Sequence, residues 1–171
     1  AVDTDNLVIA PKNRSWFRED AGAYHGKALY QGLLNRNILS YDCTIRESGE
    51  YRPWFRVKLL YNAKKYKSGI YAFGVTYNVN LPYVPLMYQV DNESPVEFSG
   101  DGKPFPKDDF LKSQWVWIPA RRINLSAGNH TFRIRAGLDF MLLDRVALVP
   151  EKSNFTPTGK GAPSVRKSAA A

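Results

Sequence analysis

Between Gly49 and Tyr61 the chain reads GEYRPWFRVKLLY, and its side chains alternate in character with period two. Tyr51, Phe55, Val57 and Leu59 fall on one side; Arg52, Trp54, Arg56 and Lys58 fall on the other. Successive side chains of an extended strand point to opposite faces, whereas a helix would need apolar residues every three or four places. The segment is therefore predicted as a strand with one face in a core. Similar stretches recur near residues 38–46, 70–79, 84–91, 115–118, 131–136 and 140–149, rich in β-branched and aromatic residues and separated by Gly, Pro, Asn or Ser. The one hint of helix is a turn or two around Phe110 to Gln114. Seven or more strands with irregular turns, long connections such as 92–114 and no internal repeat predict an all-β fold, a two-sheet β-sandwich of the jelly-roll type.

A chain of 171 residues suits one domain and can bury a core without disulfide or metal staples. That domain is expected over residues 1–161, with 162–171 a disordered tail, linker or remnant. Just before it, PEKSNFTPTGKGAP (150–163) reads as a loop that crosses the sandwich and leaves it. Cys43 is alone, so no internal disulfide forms and the compartment stays open on that ground. No apolar run approaches the ~20 residues of a membrane span, and no membrane partner is expected. Lys and Arg number 24 against 16 Asp and Glu, a net charge of +8, which favours polyanionic partners over cationic ones. The plainer reading of that charge is a solvated basic surface. Five Asn-x-Ser/Thr triplets, at Asn13, Asn92, Asn124, Asn129 and Asn154, carry meaning only in a host that glycosylates.

Catalytic signatures are scarce. His25 and His130 are the only histidines, and neither has a Ser or Cys at the spacing of a known triad motif. The chain lacks G-x-S-x-G, a Gly-rich phosphate loop before a helix, and any Cys/His cluster with zinc spacing. Two carboxyls suffice for glycosidase chemistry, so Glu47, Glu50, Asp108, Asp109, Asp139 and Asp144 leave that route open, and Tyr with Arg leaves a lyase route open. The chain is expected not to be an enzyme.

The order of segments ALYQGL, LSYDCTIRESGEYRPWFRVK, YQVDN, WVWIPARRINLSAGNHTFRIRAG and LLDRVALVPEKSNFTPTGKG resembles the carbohydrate-binding modules of families 6 and 35 across residues 26–161. The telling piece is a strand with paired tryptophans, Trp115 and Trp117, then an L-x-A-G-x-H-T turn and a hydrophobic-Asp-Arg-Val strand. The resemblance implies a non-catalytic, lectin-like jelly roll, one monomeric module of a larger secreted or periplasmic polysaccharide-degrading protein, bacterial in origin. It implies a glycan lying across loops at one end, touched by Tyr30, by Trp115 or Trp117, and by Asp139. It also implies a structural calcium, to which Asp144 corresponds; Ala10 and Lys12 stand where acidic ligands are expected.

An aromatic ring suits a sugar because the axial C–H face of a pyranose is apolar and stacks on a π face. Trp115 and Trp117 share a face of their strand, so either both line the core or one reaches the rim. Trp54 shares its face with Arg52, Arg56 and Lys58, and charged neighbours are seldom all buried, so this face is expected to meet solvent. A ring between guanidinium forks would receive an acidic sugar; the alternative is an Arg/Trp stack that covers the sheet and binds nothing. Arg121 and Arg122, with Arg133 and Arg135, could add a basic stripe, and Tyr83 could sit at a Pro-stiffened loop tip. The candidate site is thus Tyr30, Arg52, Trp54, Trp115, Trp117, Arg121 and Asp139, with polysaccharide, acidic by charge, as partner. A structural sandwich with no ligand and a small jelly-roll lyase are the alternatives, and nucleic acid is disfavoured.

Overall fold

A computed structural model describes residues 17–24, 26–31, 39–59, 64–66, 69–72, 75–77, 86–94, 96–97, 103–136 and 141–161. Among the described residues thirteen strands run in chain order: β1 (Phe17–Glu19), β2 (Lys27–Gln31), β3 (Leu39–Ile45), β4 (Gly49–Leu59), β5 (Lys64–Tyr66), β6 (Gly69–Ala72), β7 (Val75–Tyr77), β8 (Leu86–Val90), β9 (Val96–Glu97), β10 (Val116–Pro119), β11 (Ile123–Leu125), β12 (Gly128–Ala136) and β13 (Met141–Pro150). Among the described residues one short α-helix, α1 (Lys107–Leu111), overlaps the start of the turn expected at Phe110 to Gln114, and a 3-10 turn (Glu151–Ser153) follows β13. A six-stranded sheet has the order β1-β2-β13-β4-β10 with β11 also on β4, and a four-stranded sheet has the order β3-β12-β8-β9. A third sheet, β5-β6-β7, is a small meander. All described pairings are antiparallel. The stretch 70–79, expected as one strand, belongs to two paired strands, β6 and β7.

The core lies between the six- and four-stranded sheets. Phe55, Val57 and Leu59 of β4, Leu143, Val146 and Leu148 of β13, and Val116 and Ile118 of β10 meet Ile45, Tyr88, Val90, Phe132 and Ile134 of the facing sheet, with Phe110 of α1 closing one side. Phe55, Val57 and Ile134 are fully excluded from solvent, each worth about 1.5–3 kcal/mol of transfer free energy.

Pro53 explains why the neighbour of β4 is split in two. In an extended residue N–H and C=O face the same partner strand. Pro53 offers a carbonyl, which accepts from Ala120 N at 2.8 Å, but no donor. The partner strand breaks at that row: β10 ends at Pro119 opposite Trp54, and β11 resumes at Ile123 opposite Tyr51.

Candidate functional site

The even-numbered residues of β4 point away from the core, onto the outer face of the six-stranded sheet. On the adjacent β13 the register slips between Leu143 and Arg145, so that Asp144 is an extra residue and Arg145 stands opposite Arg56. A bulge of this kind turns two consecutive side chains to the same face. Asp144 and Arg145 both reach the outer face, beside Arg56. The Arg56 Nη1 donates to Asp144 Oδ2 at 2.5 Å with the two side chains 6% and 2% exposed.

Two segments close over this group. The turn Asp20–Tyr24 supplies Tyr24 N, which donates to both Asp144 carboxylate oxygens, and Gly22 O, which accepts from Arg56 Nη1 at 2.9 Å. The strap after the 3-10 turn supplies Gly159 O, which accepts from Arg56 Nε and Trp117 Nε1, each at 2.9 Å, and Lys160 O, which accepts from Arg145 Nη1 at 2.6 Å. Lys160 Nζ bonds Ala21 O, tying strap to turn. The Arg145 guanidinium lies 3.9 Å from the centroid of the Tyr24 ring. Gly22 fits because a Cβ there would stand 2.6 Å from Trp115 Nε1, and Gly161, at φ 78, because a Cβ would press on Arg145 and Trp117.

The expectation that this face meets solvent is corrected. Arg52 pairs with Glu151 at 2.5 Å and donates to Ala120 O at 2.9 Å. Trp54 is 2% exposed and packs with Trp117, at 7%, against Val149 and Ala147. Lys103 Nζ lies 5.4 Å from the Trp54 ring centroid, and no acceptor among the described residues reaches its Nε1. Neither ring offers a free face to a sugar in this arrangement. The arginines are buried because each finds a carboxylate together with backbone carbonyls, the condition under which burial of a charge is tolerated.

Trp115 is half-buried against Ala23, Ala28 and Leu142. Its Nε1 donates to Asp20 Oδ1 at 3.1 Å, and Arg56 and Lys58 stand 4.7 and 5.8 Å from its ring centroid. Lys58 also pairs with Asp20 at 2.6 Å. Burial opposes ionisation of Asp20, but the hydrogen bonds from Lys58 and Trp115 outweigh it and hold the carboxyl below its usual range. The Arg121 side chain is exposed and its carbonyl accepts from Tyr88 Oη at 2.9 Å. Tyr30 pairs with Leu142, and Leu142 with Lys58, so one cross-strand row runs from β2 to β4 and points on toward Trp115. Asp139 and Tyr83 lie outside the described residues. The sequence reading missed Asp20, Gly22, Tyr24, Arg145 and Gly159; the glycines within short polar stretches were the available signal.

Asp144 does not fit a calcium ion here. Both its oxygens are used by Tyr24 N and Arg56, and a guanidinium stands where a divalent cation would need room. No cluster of three or more His, Cys, Asp or Glu able to hold a metal occurs among the described residues. Ala10 and Lys12 lie outside them.

At the opposite end of the sandwich a cavity of about 450 Å³ opens between the β3–β4 turn and the end of β13. Its acids are matched by cations: Glu47 with Lys152 at 2.8 Å, Glu50 with Arg122 at 3.3 Å, and Glu151 with Arg52. His130 is engaged with Asp91 at 2.8 Å and Ser126 O at 2.7 Å rather than with a nucleophile. This pairing leaves neither an activated nucleophile nor a free acid and base together among these groups.

No protein-family model matches the chain, and no curated protein matches it. Among solved structures it is similar to the GH26-CBM35 β-(1,4)-mannanase of Podospora anserina, with 13% identity, a TM-score of 0.51, and coverage of 88% of this chain and 27% of that one. It is also similar to the carbohydrate-binding module CBM6cm-2 from Cellvibrio mixtus lichenase 5A in complex with cellotriose, at 17% identity over 87% and 98% of the two chains, TM-score 0.46. A family 35 carbohydrate-binding module from an environmental isolate aligns at 13% identity over 88% and 89%, TM-score 0.47. The likeness is one of fold, and the chain spans only about a quarter of the mannanase, at 27%.

Proposed function

We propose that this domain is a non-catalytic carbohydrate-binding module that holds a secreted polysaccharide-degrading protein to its polymer. The observation that carries the reading is the coincidence of motif and strand. The paired tryptophans lie on and just before β10, the L-x-A-G-x-H-T turn joins β11 to β12, and the hydrophobic-Asp-Arg-Val segment forms the bulge of β13. These are the pieces by which the chain resembles such modules, on a sandwich similar to part of a mannanase whose name includes one.

On the resemblance we put the polymer across Tyr30, Trp115 and Asp139; Arg121 stands between β10 and β11, nearer the cavity end, and Arg52, Trp54 and Trp117 serve packing. An acidic polymer is favoured by charge: the net is +8, and Arg52 and Arg56 are each neutralised by a carboxylate, so the excess cations belong to other positions. A second reading, a sandwich that binds nothing, has the enclosed Trp54 and Trp117 in its favour.

Affinity electrophoresis through gels of neutral and acidic polysaccharides, at low and moderate salt, separates the two. Retardation without released reducing ends, weakened by salt and abolished by Tyr30→Ala or Asp139→Ala in a protein of unchanged melting temperature, is the expected result. Migration unaffected by every polymer overturns the binding reading, and released product overturns the non-catalytic one.

A further inference from the structure

The Asn-x-Ser/Thr triplets exceed what composition supplies. Eleven asparagines, each with a 17-in-171 chance of Ser or Thr two places on, give about one triplet by order alone, against the five present. Four of the five lie on described residues, and in all four the asparagine is exposed.

They also share a place. Asn124 pairs with Glu50 and Asn129 with Thr44, either side of the β3–β4 turn. Asn154 follows the 3-10 turn at the end of β13, and Asn92 lies in the turn after β8, where Asp91 N bonds Thr131 O. All four stand at the end that holds the 450 Å³ cavity, and Thr44, Glu50 and Lys152 line that cavity. We infer that this cavity end is N-glycosylated, with Asn124 and Asn129 as the principal acceptors.

Local chemistry ranks the four. Ser94 and Thr156 are each followed directly by proline, whose fixed φ and missing N–H restrict the acceptor segment around Asn92 and Asn154. Ser126 and Thr131 have no such neighbour. In the folded chain Thr44 Oγ1 donates to Asn129 Oδ1 at 2.9 Å, which leaves the amide nitrogen, the atom that carries a glycan, out of that bond. β11 pairs only with β4 among the described strands, and a glycan on Asn124 would blunt the exposed edge against pairing with another chain. The inference requires passage through a secretory lumen, not carbohydrate binding: a sandwich that binds nothing would carry the same glycans. A bacterial origin, expected from the resemblance, predicts the opposite.

The test is the mass of the protein isolated from its natural source, before and after peptide-N-glycosidase. Loss of at least two oligosaccharide masses, with conversion of Asn124 and Asn129 to Asp, is expected. An unmodified polypeptide mass, or a glycan confined to Asn13, overturns the inference. Secreted from a eukaryotic host, the double variant Asn124→Gln/Asn129→Gln should lose two glycan steps by gel mobility. Its melting temperature should hold, since exposed polar substitutions of this kind are near neutral. A double variant with undiminished glycan mass refutes the assignment to these two residues.

Discussion

Replacing Arg56 by Met tests whether its guanidinium is an internal cation of the fold or a ligand-binding group. Met keeps much of the aliphatic stem but deletes the donors to Asp144, Gly22 O and Gly159 O. Asp144, with its side chain 2% exposed, would be left as a buried carboxylate bonded by Tyr24 N, with the Arg145 charge still acting on it. Breaking a buried pair by removing one partner costs about 3–5 kcal/mol. At ~2–4 °C per kcal/mol for a domain of this size, the melting temperature should fall by roughly 6–20 °C. Urea unfolding followed by tryptophan fluorescence reads the change, since Trp115 and Trp117 both touch the clamp. Removing both charges, Arg56→Met with Asp144→Leu, should recover most of the loss, because an apolar pair of similar volume often does as well as the ions it replaces. A single variant that loses less than about 1 kcal/mol at unchanged urea slope would refute the argument, given that figure is an ordinary hydrogen bond's worth. So would a variant of normal stability that no longer binds polysaccharide.

Gly22→Ala should cost about 1–3 kcal/mol, measured by the same unfolding curve, because its Cβ would displace the Trp115 indole and its bond to Asp20. Both ring nitrogens of His130 face acceptors, Asp91 and Ser126 O, so the imidazolium is the form that satisfies them. Burial works against that charge, but these bonds and the Asp91 charge outweigh it and raise the His130 pKa above 6.5; burial likewise opposes Asp91, whose bonds from Thr131 N and His130 lower it below 3.8. The pair's stabilisation should therefore be whole between those two reference values. It is lost as pH rises through the raised His130 pKa, or falls through the lowered Asp91 pKa, and His130→Gln should flatten the upper limb of a stability-versus-pH profile. Burial, with the charges of Asp91 and Asp42, pushes the Cys43 thiol up to about 11, so it should resist thiol reagents at pH 8 in the native state and react on unfolding. Calcium or EDTA should leave the melting temperature unmoved; a rise with calcium that Asp144→Asn abolishes would contradict the misfit at Asp144.

The sheet pattern was legible because burial imposes period two on strands that have one face in the core, and β4 shows it plainly. What the alternation could not reveal is that the outer face is covered too. That depends on Asp20–Tyr24 and the strap at Gly159–Gly161, which act in large part through backbone N–H and C=O groups that any sequence provides. The charged residues of β4 read as solvated because their partners lie far along the chain: Asp144 is 88 positions from Arg56, and Gly159 is 103. The bulge at Asp144 was equally hidden, since nothing in LLDRV marks Asp144 as the extra residue until the register against β4 is known. Strands β1, β2, β5, β9 and β11 escaped notice because most are too short for a period to register.

The strap over the six-stranded sheet has an evolutionary corollary. Apart from the exposed bond of Lys160 to Ala21 O, its holdfasts are arginine and indole donors of the sheet on one side and main-chain oxygens of the strap on the other. A substitution at Lys160 keeps the oxygen that Arg145 grips, whereas a change at Arg56, Arg145 or Trp117 removes the grip. Among relatives, the strap should therefore drift freely in side-chain identity while retaining glycine at Gly159 and Gly161, whose φ values of 53° and 78° other residues rarely adopt. The residues beneath it should change only in concert.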